Sequence, residues 1–216
     1  MSTLWVVRFV VWMTCHSKNM GKLLFKYGTM AAGKSLHLLA IAHQLKENGI
    51  KCQLIKPKID TRTKNSIKSR CGLEEECTLI GECESFFNII NDEAQWILVD
   101  EAQFLKKNQI DELGFIVDNK NVNVICYGLR TDFATNLFEG SKRLFEIADE
   151  IKELTSYCKC GNKNNVNARF DEKNKLIIDG EQIVIGGNEK YTPMCRSCYH
   201  KIFCDTIPTP NESDIN

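Results

Sequence analysis

The stretch "YGTMAAGKSL", residues 27–36, constrains this chain more than any other. It carries the spacing G-x-x-x-x-G-K-[ST], with Gly28, Gly33, Lys34 and Ser35 at the fixed places. Such a loop needs a strand before it and a helix after it. The backbone N–H groups of Gly28, Thr29, Met30, Ala31, Ala32 and Gly33 then surround one concavity, and the helix adds its positive N-terminal end. Lys34 reaches the β- and γ-phosphates of a nucleotide, and the Ser35 hydroxyl ligates Mg2+. Both flanks comply. "KLLFKY" (22–27) reads as a buried strand, and residues 34–48 put Leu38, Leu39, Ile41, Ala42 and Leu45 at helical spacing before Gly49 stops the run. The loop alone does not separate a motor from a switch or from an enzyme that gives the terminal phosphate away.

The rest of the chain supplies the context. "IKCQLIKP" (50–57) is a second strand ended by Pro57, and the polar, basic residues 58–76 predict a mobile loop around "DTR" (60–62). A short strand near 77–80 and a helix near 84–91 lead to "WILVD" (96–100), an apolar strand that ends in an acid. A helix over about 106–119 and the strand "VNVICY" (122–127) follow. Nearly continuous apolar strands alternating with helices predict an α/β fold, a parallel sheet covered on both faces. At the end of the apolar strand "WILVD", Asp100 stands where phosphate-loop proteins hold Mg2+. Glu101 is then free for another task. The competing reading of this acidic pair is a solvated helix start, where carboxylates suit the dipole.

Eleven cysteines are an odd number, and beside an intracellular type of phosphate loop they argue against a disulfide framework. Cys52 and Cys126 sit in apolar runs and read as small buried hydrophobes, with Cys71, Cys77 and Cys83 scattered singly. Only Cys158, Cys160, Cys195 and Cys198 form a constellation: C-x-x-C with a C-x-C half about thirty-five residues earlier suits one tetrahedral zinc, with reduced free thiols as the alternative. His200 is a lesser candidate ligand, and His37 and His43 read as ordinary helix residues. The expected organisation is a leader (1–19), a nucleotide domain (20–153), a zinc domain (154–204) and a loose tail (205–216). The leader's "LWVVRFVVWM" is too short to span a bilayer and is interrupted by Arg8. No small-residue cleavage site follows it. We expect it to lie outside the fold; a surface or partner-binding strand is the other reading. Lysine plus arginine equals aspartate plus glutamate, 28 each, so no overall field favours nucleic acid or membrane.

Five motifs in order, "YGTMAAGKS", "DTR", "DEAQF", "GLRTDF" and "IGGNEKY" followed by "CRSC", resemble those of the type II, zinc-containing thymidine kinases, and the likeness to a bacterial member spans about residues 20–204. The resemblance implies a RecA-like domain with a small zinc domain, a homotetramer in the cytoplasm, and transfer of the ATP γ-phosphate to the 5′-hydroxyl of thymidine, with deoxyuridine as a further acceptor and dTTP as feedback inhibitor. It puts Glu101 at the general base and Asp100 at the magnesium-associated acid. Ala102 and Gln103 count with the phosphate site, and Arg62, beside Asp60, matches an arginine near the phosphates. Phe133 matches the ring that stacks on thymine; Met30, Phe104, Leu129 and Tyr191 match pocket positions. Gln182, Val184, Gly186 and Tyr191 match a "lasso" that wraps the substrate. The family commonly has C-x-x-C in the first metal half, whose first ligand would here fall on Tyr157, so Cys158 takes that place through a shifted backbone. The competing reading, a RecA-like ATPase that remodels nucleic acid, lacks a basic strip interleaved with aromatics. A zinc-finger adaptor leaves the phosphate loop unexplained.

Overall fold

The computed structural model describes residues 21–183 and 191–206. The expected leader and the end of the expected tail lie outside them. Eleven strands follow in chain order: β1 (Leu23–Tyr27), β2 (Cys52–Pro57), β3 (Ser66–Lys68), β4 (Glu74–Glu76), β5 (Thr78–Ile80), β6 (Trp96–Val99), β7 (Asn123–Gly128), β8 (Glu150–Glu153), β9 (Val166–Phe170), β10 (Leu176–Ile177) and β11 (Tyr191–Met194). The helices are α1 (Lys34–Glu47), α2 (Lys107–Lys120), α3 (Glu139–Ile147) and α4 (Arg196–Thr206). Six strands form one sheet in the order β5-β2-β6-β7-β1-β8, and every pairing within it is parallel.

The pleat explains why these strands are apolar throughout. Successive side chains leave opposite faces, so a strand buried on both sides needs apolar residues at every position. Phe25, Ile97, Val99, Val124 and Cys126 pack on one face with Ile110 and Leu113 of α2 and Leu144 of α3. Leu98, Ile125 and Tyr127 pack on the other with Leu38, Leu39 and Ala42 of α1. Cys126 is fully buried and Cys52 half-buried.

Two expected elements differ. Residues 58–76 are not a featureless loop: β3 and β4 pair antiparallel, and Ile67 turns inward into the core under α1. One apolar residue among polar ones was enough to root the hairpin. Near 84–91 there is only a 3-10 turn, Phe86–Asn88. There the Glu112 carboxylate accepts from the Phe86 N–H (2.7 Å) and the Ser85 hydroxyl (3.0 Å), so a side chain serves groups that an α-helix start would leave open. Helix α3 and strand β8 carried no sequence expectation. The "EIKE" of β8 alternates charge with one aliphatic residue, as suits a sheet edge.

The second sheet is small and antiparallel, in the order β10-β9-β11. Its core is Ala168, Leu176 and Met194, packed against Tyr199 and Ile202 of α4. Among the described residues no helix is long and apolar enough to cross a membrane.

Gly140, in the first turn of α3, lies against the segment that follows Glu101. A Cβ there would stand 2.5 Å from the Ala102 carbonyl oxygen and 2.7 Å from that of Leu105. Backbone cannot give way as a side chain can. We expect Gly140→Ala to cost about 1–3 kcal/mol of stability by overpacking, read from urea unfolding, and to lower activity by displacing residues 101–105. Unchanged unfolding would contradict the close approach.

Candidate active site

Parallel α/β sheets present their ligand sites beyond the carboxyl ends of the strands. β1 and β6 flank β7 here, so the loop leaving β1 and the acids leaving β6 meet above it. The loop runs from Gly28, whose N–H bonds the Gly128 carbonyl at 3.2 Å, to Gly33, which opens α1. Gly33 has φ 78, a left-handed conformation that disfavours any Cβ. No side chain caps α1 and its first turn holds no acid. Its open N–H groups and dipole are therefore available to an anion. The buried Lys34 donates to the carbonyls of Gly28 (3.3 Å) and Thr29 (3.0 Å) across the loop. Burial lowers its pKa, opposed by the charges of Glu101 and Asp100.

The two acids diverge sharply for neighbours. Glu101 has φ 52, a left-handed turn that redirects the chain into the 3-10 segment Ala102–Phe104. Asp100, 3% exposed, accepts from Ser35 Oγ at 2.7 Å. Burial pushes its carboxyl up, and the Glu101 charge adds to the rise. Ser35 and Asp100 thus present two oxygen ligands side by side, the hard donors that Mg2+ takes. Burial alone would raise Glu101 too, but Arg62, Lys34 and Gln103 outweigh it and hold the carboxyl below its ordinary range. Arg62 Nη2 bonds one Glu101 oxygen, and Gln103 Nε2 donates to the other at 2.5 Å. Gln103 is itself fixed, accepting from the Leu129 N–H at 3.0 Å. Asp60 accepts from Arg62 Nε at 2.7 Å and shares Nη2 with Glu101, at 3.2 Å.

These groups line a cleft of about 910 Å3 that also includes Met30, Ala31, Phe104, Leu129, Phe133, Gln182 and Tyr191. That is ample for a nucleotide beside a second small substrate. Phe133 is 2% exposed. The Arg169 guanidinium stands 5.2 Å from its ring centroid and 6.0 Å from that of Tyr191. Gln182 donates to Asp132 at 2.9 Å, tying the start of the lasso segment to "GLRTDF". Val184 and Gly186 lie outside the described residues. Ala32 and Ala102 shape the backbone rather than the cleft wall: the Ala32 N–H closes the loop on Thr29 O at 3.2 Å, and Ala102 is fully buried. His37, expected to be an ordinary helix residue, bonds the Tyr127 hydroxyl at 2.9 Å through Nδ1.

Several participants carried no motif. Asn167 of β9 accepts from the Met30 N–H at 2.8 Å, and Ser156 bonds the Thr29 hydroxyl at 2.8 Å, so the phosphate loop is held by the cysteine-bearing part of the chain. Arg169 stands over Phe133 and Tyr191, both far from it in sequence, and Gln103, although inside the "DEAQF" motif, is fixed by Leu129, 26 residues away. No local pattern announces such partners.

Cys158, Cys160, Cys195 and Cys198 bring their sulfurs within 4.8 Å of one another. The tight turn makes the C-x-C half work: Cys158 N–H bonds Asn162 O (2.8 Å) and Gly161 N–H returns to Cys158 O (2.9 Å). Tyr157, 72% exposed, points elsewhere. Backbone N–H groups of Cys160 and Cys195 lower the Cys158 thiol pKa, while the crowding thiols raise that of Cys198. Four sulfurs so close suit a thiophilic divalent cation, and the set fits structural zinc. His200 instead lies 3.2 Å from Cys204. We expect about one zinc per chain, and Cys195→Ser to lose the metal and lower the thermal midpoint. Freshly reduced protein that is folded and free of zinc by elemental analysis would overturn the assignment.

Comparison with known proteins agrees with this geometry. A family model described as thymidine kinase matches residues 21–199. The chain is 48% identical over 183 residues to a thymidine kinase of Zymomonas mobilis, covering 82% of this chain and 95% of the relative. It is 44% identical over 189 residues to a thymidine kinase of Enterobacteria phage T4, covering 85% and 97%. It is 42% identical over 183 residues to one from Rhodopirellula baltica, covering 82% and 87%.

Proposed function

Since the chain belongs to the thymidine kinase family, we propose that it transfers the γ-phosphoryl group of ATP to the 5′-hydroxyl of thymidine, giving dTMP and ADP. The observation that carries this reading is the unequal use of two adjacent acids. Both line the cleft that holds Phe133 and Leu129, but Asp100 is bonded to Ser35 beside the phosphate loop, while Glu101 turns away from it to Arg62 and Gln103. A motor would set only a water beside that second acid. The apolar wall of Leu129, Phe133 and Phe104 in the same cleft gives Glu101 an organic second substrate to act on.

The residues divide the work. The loop residues Gly28–Ser35 cradle the triphosphate, with Lys34 turning from the Gly28 and Thr29 carbonyls to the phosphates. Ser35 and Asp100 would hold Mg2+, which when bound neutralises charge on the β- and γ-oxygens. Glu101 orients the hydroxyl and takes its proton late. The transition state of phosphoryl transfer is loose, so positioning and charge neutralisation count for more than activation of the nucleophile. Phe133, flanked by Leu129, Phe104, Met30 and Tyr191, forms the wall for the thymine ring. Gln182 and Tyr191 line the same cleft, and with Val184 and Gly186 they are the substrate contacts that the lasso resemblance adds. A homotetramer, inhibition by dTTP, use of deoxyuridine and work in the cytoplasm, in supply of thymidylate for DNA synthesis, belong to the same reading.

Thymidine should accelerate ADP release and single-stranded DNA should not; the reverse result would replace the reading with a nucleic-acid ATPase. In Glu101→Gln we expect MgATP and thymidine binding to persist while turnover falls roughly 10²-fold or more. Turnover near that of the unmodified enzyme would remove Glu101 from the base position.

A further inference from the structure

The arginine that the "DTR" motif offers to the phosphates is already engaged. Arg62 spans Asp60 and Glu101, so its charge is spent on two carboxylates, one of them the proposed base. Transfer of a phosphoryl group spreads negative charge over three equatorial oxygens, and a free cation there is worth more than one already paired. A second arginine on the same cleft meets that requirement.

Arg70 lies at the tip of the β3–β4 hairpin and lines the cleft together with Lys34, Arg62 and Asp100. It is exposed and makes no hydrogen bond or ion pair among the described residues. Its charge is nonetheless close enough to Lys34 to disfavour the ammonium there. The tip that carries it is firmly built. Ser69, 4% exposed, bonds Leu73 O through its N–H at 2.8 Å and accepts from the Leu73 N–H at 3.1 Å. Gly72 N–H closes the turn on Ser69 O at 3.1 Å. Below the tip, Ile67 is packed into the core under α1, and Lys46 of α1 pairs with Glu75 of β4. A rooted hairpin thus holds one unpaired guanidinium over the phosphate end of the cleft.

We propose that Arg70 is a catalytic residue that binds the γ-phosphate and stabilises it during transfer, while Arg62 serves to orient Glu101. The inference rests on the kinase reading above. In the step, the bond from the γ-phosphorus to the β–γ bridging oxygen breaks, a bond to the 5′-oxygen forms, and the hydroxyl proton passes to Glu101. ADP leaves with the bridging oxygen's electron pair. Arg70 forms no covalent bond; its guanidinium donates to the equatorial oxygens, with the planar fork that suits phosphate.

The test compares ATP with ADP. Calorimetric binding of each nucleotide with Mg2+ to Arg70→Ala should show ATP weakened about tenfold or more and ADP little changed, because only ATP carries the γ-phosphate. Thymidine turnover should fall roughly 10²-fold or more, with thymidine KM within about threefold, and Arg70→Lys should recover part of it. Equal weakening of ATP and ADP, or turnover within about threefold of the unmodified enzyme, would overturn the proposal. Unmodified enzyme that ignored thymidine would sink the kinase reading instead, and the ATP–ADP comparison would still decide Arg70.

Discussion

Asp100 and Glu101 are consecutive, buried and acidic, and the surrounding structure is organised by what that combination requires. Burial keeps bulk solvent from screening them, so each carboxylate needs its own partners or it takes up a proton. The left-handed turn at Glu101 gives them separate surroundings. Asp100 meets the Ser35 hydroxyl at the start of α1, and Glu101 meets Arg62 and Gln103. Those partners come from the phosphate loop, the loop after β2 and the turn after β6. The strand order β2-β6-β7-β1 brings them together beyond the carboxyl ends of the sheet.

Arg62 and Lys34 then have opposite standing. Lys34 is buried, and burial dominates its titration. Arg62 is half exposed yet held by two acids. Nearness to charge, rather than depth alone, decides which cation is free to meet a phosphate. This is the sense in which the sequence order of the basic residues and their chemical availability part company.

What could be read in the chain follows the range of the forces involved. Gly33 and Lys34 belong to a loop whose conformation is set within eight residues, and "WILVD" carries both its burial and its terminal acid in five. These were legible. The four cysteines were legible as well, although separated by about thirty-five residues, because thiolate chemistry leaves few other uses for two close pairs. The hairpin holding Arg70 was not: its apolar anchor is Ile67, and nothing in "NSIKSRCG" marks that residue as meeting α1. Helix α3 was hidden by Gly140, a poor helix former retained because the Ala102 and Leu105 carbonyls leave no room for a side chain. Near 84–91 the apolar pattern was helical, and Glu112 from a distant helix overrode it.

The bonds from Asn167 to Met30 and from Ser156 to Thr29 have a consequence for behaviour on warming. The smaller sheet has a core of three buried side chains, against a far larger one beneath the main sheet. Regions with few buried contacts open first, well below the temperature of global unfolding. Here that region braces the phosphate loop, and with its four cysteines stripped of metal it is the first to open. Heat should therefore silence the protein before it melts it, and the silence should be reversible on cooling; activity and far-ultraviolet ellipticity followed in the same temperature ramp would separate the two events or show them to coincide.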